Sequence, residues 1–305
     1  MTNWFPAPKR TVKALASATI VLLSVWVTPT LAGDPFRDTN NNPRNIDDNT
    51  ESAFNAIFKD GNYQQAQSFL AKAEASQPNE PLTYAMLGSL AYTNQDWDKL
   101  NGYASKTLQT AQQLSKTDPL RGNLYTAVGQ FLEGTYKFKK EGPVGALSQL
   151  QKVFQSIDAA KKADPNDPEL NLVTGYMDLI LAVNLPFSDP AKAIERLENY
   201  AAPKYLAYRG IAVGYRDMKQ NDKAMAYVER ALSVTPENPD LLYLKAQILR
   251  NQKNNSEALK FFNKALEKKA QLLKGNISQI SYEKCRLESS INNSSRDCYK
   301  EAFGS

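Results

Sequence analysis

The chain has 305 residues, 42% hydrophobic and 23% charged, enough to bury a sizeable core. It has no histidine and only two cysteines, Cys285 and Cys298, which excludes histidine triads, histidine metal sites and four-cysteine zinc sites. The net charge of +5 shrinks once Lys9, Arg10 and Lys13 are set aside with a removable leader; 34 basic residues then face 32 acidic ones, too even a balance to argue for nucleic acid.

The N-terminal "MTNWFPAPKRTVK" carries only positive charge. The apolar run Ala14 to Val27 follows, then "TPTLAGD" with small residues at Thr30 and Ala32. That order reads as a secretory signal over 1–32, cut between Ala32 and Gly33. The alternative is an uncleaved anchor, but a span needs about 20 apolar residues and this run is shorter. The expected location is the periplasm or another extracytoplasmic space, with no stable membrane span after cleavage. Residues 33–46, "GDPFRDTNNNPRNI", are polar with two prolines and read as a disordered or extended leader.

From Asp47 the apolar spacing becomes helical. Six helix pairs are expected, beginning near Asp47, Pro81, Asp118, Pro168, Tyr205 and Pro239. The third turns at "KKEGPVGA", and the fourth carries the insertion "LPFSDP" before "AKAIERLENYAA". The last two pairs repeat one another: Ala224 aligns with Ala258, Val228 with Phe262, Ala231 with Ala265, Leu232 with Leu266. A fixed period of about 34 residues, with small and large apolar residues in constant phase, denotes a repeated helix hairpin.

The pattern resembles the tetratricopeptide repeat. "YAMLGSLAY" supplies Tyr84, Leu87, Gly88 and Tyr92; "AMAYVERALSVTP" supplies Ala224, Val228, Ala231 and Pro236; "GNYQQAQSFLAKAEASQP" supplies Gly61, Tyr63, Ala66, Leu70, Ala73 and Pro78. The resemblance implies an all-α, right-handed superhelical solenoid of about six hairpins over 47–272. Repeats 47–80, 205–238 and 239–272 match strongly, and 81–204 is degenerate, with Leu100 where the family places alanine. Residues 273–305 read as a C-terminal cap. In an exported chain Cys285 and Cys298 are expected to form a disulfide; the alternative is two independent thiols. The leader, "GDPFR…NPRNID", also resembles exported bacterial proteins of this repeat type, of the kind found in cyanobacteria.

Such a solenoid implies a concave groove that binds peptides or protein surfaces. The family's inner positions fall on Leu206, Arg209, Val213 and Arg216 in the fifth unit, and on Asp240, Tyr243, Gln247 and Arg250 in the sixth. In the fourth they fall on Glu169, Leu172, Tyr176 and Leu179. The candidate groove is therefore Arg209, Val213, Arg216, Tyr243, Gln247, Arg250 and Tyr176. Its arginines suit an acidic peptide, since guanidinium binds carboxylate bidentately. The plainer alternative is a solvated face with ion pairs to Asp217 or Asp240. The family's carboxylate clamp needs an asparagine where Val213 stands. No catalytic residue, cofactor or metal is assigned, because the acidic pairs sit at helix starts, where they serve as caps. The function expected is an adaptor or assembly factor of the bacterial cell envelope. Behind it stand a structural or glycan-associated wall protein and, third, an unrecognised hydrolase.

Overall fold

The computed structural model describes residues 33–37, 43–184 and 190–304. The signal-like segment and the "LPFSDP" insertion lie almost wholly outside them. The described residues hold fourteen α-helices and no strand.

The six expected pairs are present in chain order. They are α1 (Asp48–Phe54) with α2 (Tyr63–Ser76), α3 (Pro81–Thr93) with α4 (Trp97–Leu114), and α5 (Pro119–Glu141) with α6 (Pro143–Ala163). Then come α7 (Pro168–Asn184) with α8 (Pro190–Asn199), α9 (Lys204–Asp217) with α10 (Asn221–Val234), and α11 (Pro239–Asn251) with α12 (Asn255–Glu267). A π-helical turn, Asn55–Lys59, extends α1, and a 3₁₀ turn, Lys269–Gln271, leads to α13 (Lys274–Ile291) and α14 (Cys298–Phe303). Each helix packs chiefly against its chain neighbours.

The local chemistry explains the starts. Proline opens α3, α5, α7 and α11, where its missing N–H costs nothing. Each is preceded by an acid or amide that caps backbone N–H groups: Glu80 from Leu82, Asp118 from Arg121, Asp167 from Leu170, Asn238 from Asp240. Within hairpins the aligned alanines Ala224, Ala231, Ala258 and Ala265 are fully buried, as are Val228 and Phe262. Small residues bring the paired helices close, and the large ones fill the space between hairpins. Leu100, at a family alanine position, is equally buried, in a cluster with Ala91, Ala104 and Leu132. Tyr92, one of the residues that carry the repeat pattern, is 51% exposed and meets Trp97 edge-on.

Two features differ from an open solenoid with a loose leader. First, the leader is ordered where it is described. Phe36 and Ile46 are buried, and the Phe36 ring stands edge-on to Phe54 with centroids 4.9 Å apart. Asp34 accepts from the backbone N–H of Phe36 and of Arg44, both at 2.9 Å, and so ties its two limbs together. Burial of two large apolar side chains and pairing of Arg37 outweigh the polar composition that suggested disorder.

Second, the ends of the array meet. Tyr63 on α2 donates to Asp240 on α11 at 2.5 Å. Asn238 donates to the carbonyls of Phe58 and Lys59 at 3.1 Å each, which are end-of-helix groups needing partners. Gly61 allows the approach: its φ of 63° is left-handed, and an added Cβ would stand 2.6 Å from Pro239. One apolar cluster accordingly contains Phe54 and Ile57 together with Tyr205, Leu206 and Leu242.

Candidate protein-binding site

All seven residues expected to line the groove are engaged by the chain itself. Arg209 lies 3.6 Å from Asp240, the acid that also receives Tyr63. Val213 packs in the α9–α11 core. Tyr176 donates to the Leu206 carbonyl at 2.7 Å, and burial pushes its hydroxyl up to about 12. Arg216 binds Asp217 at 2.7 Å and donates to Gln247 at 2.5 Å. Both ion pairs of the plainer alternative, to Asp217 and to Asp240, are therefore present.

Gln247 carries the chain of contacts onward. It donates to Glu283 of α13, as do Tyr243 at 2.6 Å and Arg250 at 2.7 Å. Gln279, one turn earlier on α13, adds a fourth donor at 3.0 Å. Burial works against the Glu283 charge, but the bonds from Tyr243, Gln279 and Gln247 and the charge of Arg250 outweigh it, so its carboxyl lies below the usual range. The cap helix thus supplies an acid to the inner positions of the sixth unit.

Beside this acid a cleft of about 480 Å³ opens between α11, α12 and α13. Arg250, Tyr282, Glu283 and Arg286 give it its character. Arg286 is exposed and stands 5.8 Å from the Tyr282 ring, with no carboxylate partner among the described residues. Two guanidiniums against one satisfied carboxylate leave the cleft positive. Tyr282 and Arg286 were not reached from the sequence, although their i, i+4 spacing on one helix puts them on one face.

A second polar assembly is buried where the N-termini of α3, α5 and α7 converge. Arg121 forks onto Glu80 at 2.8 and 3.3 Å and reaches Glu169 at 3.1 Å. Tyr125 donates to Glu169 at 2.6 Å. Arg37 of the leader enters from the other side, pairing with Asp34 at 2.7 Å, Glu169 at 3.4 Å and closely with Asp167. Glu169, an expected inner position, is fully buried here. The carboxylates and guanidiniums satisfy one another, which is what makes their burial tolerable.

The arrangement defines a class: an array of helix hairpins whose inner residues are polar, cross-braced and capped by a further helix. Residues 215–275 match the family model described as tetratricopeptide repeat, a span from the end of α9 through the sixth hairpin. That part of the chain is thus similar to tetratricopeptide repeats, which in general are protein–protein interaction modules. No curated protein matches the chain.

Proposed function

We propose that this protein is an adaptor or assembly factor of an extracytoplasmic compartment of the bacterial envelope, and that it takes an acidic peptide or protein surface in the α11–α12–α13 cleft. The observation that carries the reading is the cleft itself, with Arg250 on one wall and Arg286 over Tyr282 on the other. A guanidinium without an internal acid is the group best able to receive a partner's carboxylate. Tyr243 and Gln247 hold Glu283 in place behind it, while Arg209 and Arg216 tie α9 to α11 and Tyr176 ties α7 to α9.

Export is supported by the three-part N-terminal pattern and by the disulfide between Cys285 and Cys298, which joins α13 to α14. Among the described residues no helix is long and apolar enough to cross a membrane. The test is cross-linking capture from envelope extract, with the wild-type chain and a chain carrying Arg250→Glu and Arg286→Glu. A partner held by the first and lost by the second supports the site. Equal capture by both moves the site elsewhere.

A further inference from the structure

The Gly33 backbone nitrogen lies 3.1 Å from Oε2 of Glu51 on α1. In the unprocessed chain that nitrogen belongs to the Ala32–Gly33 amide and has one neutral N–H to offer. Glu51 is half-buried, and its carboxyl is pushed up: burial is the main cause, the Gly33 N–H opposes it, Asp48 and Asp34 add to it, and Lys59 opposes again. The Glu51 carboxylate thus meets the Gly33 nitrogen directly, and the charged groups acting on that carboxylate are two further acids and one lysine, a field that favours a positive charge. The residue type fits as well. A Cβ at position 33 would overlap both oxygens of Glu51, so any larger residue would push the carboxylate away from the nitrogen.

We infer that Glu51 is a receptor for the α-ammonium group of the mature chain, so that removal of the signal segment completes an ion pair that locks the leader onto α1. The inference rests on the export reading given above. In the cleavage step a signal peptidase adds water across the Ala32–Gly33 amide; the C–N bond breaks, Ala32 ends as a carboxylate, and Gly33 leaves with an amine protonated to –NH₃⁺. The neutral N–H bond to Glu51 becomes a charge-assisted one, the stronger kind. The ion pair anchors the same segment whose Phe36 packs on Phe54 and whose Arg37 enters the buried network.

The test uses protein exported from the full-length gene in a bacterial host and purified in its processed form. Mass spectrometry identifies the first residue, expected to be Gly33. NMR titration then follows the α-amino group in wild type and in Glu51→Gln. The expected result is a wild-type pKa raised by about 1 unit over the ordinary range of roughly 7.7–8.0, returning to that range in the variant. Because a raised amino pKa stabilises the folded state below the unfolded value, carbamylating the amine of folded wild type should lower its unfolding midpoint at neutral pH. That difference should vanish as pH rises through the folded α-amino pKa. This arm stands even where Glu51→Gln fails to fold. A chain that starts at Gly33 but titrates ordinarily, with no carbamylation effect, overturns the inference and leaves export intact. A processed chain that starts elsewhere overturns the inference and leaves export intact, whereas an intact chain that still starts at Met1 overturns the export reading and the inference with it.

Discussion

Asn238 uses both ends of its amide. Its oxygen caps α11 by accepting from Asp240 and Leu241, while its nitrogen donates to Phe58 and Lys59 on the far hairpin. Aspartate could do the first and not the second. Asn238→Asp should therefore keep the cap yet lose about 1–3 kcal/mol, because two carbonyls lose their donor and face a carboxylate. Asn62→Asp is the control, since that amide reaches only Gln65 of its own helix; it should change stability by less than about 0.5 kcal/mol. Urea unfolding of both variants decides the point, and equal losses would remove the special role of Asn238. Glu283 gives a pH signature at the same scale. Its folded pKa is lowered from 4.5, so its contribution is fully present above that value and is lost as pH falls through the folded one. The stability difference between wild type and Glu283→Gln should be flat near neutrality and shrink below about pH 4.5. A difference that instead grows on acidification would contradict the assignment.

At the scale of elements, the leader acts as an additional packed strand of chain rather than a tether. Arg37 and Asp34 enter and leave the buried network as a neutral pair, but Arg37 alone also answers Asp167 and Glu169. Arg37→Ala leaves those acids with one guanidinium fewer, and removing one partner of a buried pair costs about 3–5 kcal/mol. Chemical denaturation should show that loss, and limited proteolysis should show earlier cleavage around residues 33–46. A loss under about 0.5 kcal/mol would mean that the network contributes only shape. The helix pairs themselves were legible because each depends on local spacing: Ala224 and Ala231, then Ala258 and Ala265, sit in the same buried phase. The caps were legible too, since an acid or amide before proline is a local instruction. The leader's fate was not. Only Phe36 and Ile46 in it are large and apolar, and the acids that answer Arg37 lie 130 residues and more away.

At the scale of the whole molecule, closure decides what the inner face can do. Small rotations between hairpins accumulate along the array, and no single repeat records their sum. Tyr63 and Asp240 are 177 residues apart, so their meeting could not be read from either repeat. Arg209 shares Asp240 with Tyr63 across this closure, while Arg216, Tyr243, Gln247 and Arg250 are engaged by the neighbouring helix or the cap helix, and no single repeat records either engagement. Arg209 and Arg216 spend their donors inside the chain and Arg250 donates to Glu283, whereas Arg286, beside it in the cleft, is exposed and has no carboxylate partner among the described residues. In the proposed role this cleft receives acidic chain. The most direct measurement is fluorescence anisotropy of labelled Asp/Glu-rich peptides against Lys-rich peptides of equal length, with wild type and the Arg250→Glu, Arg286→Glu variant. Salt-sensitive binding of acidic peptide to wild type is expected, with a loss of at least about tenfold in the variant, given that charge pairs at such sites are worth about 1 kcal/mol or more. Equal affinity for both peptide types, or no loss in the variant, would contradict it.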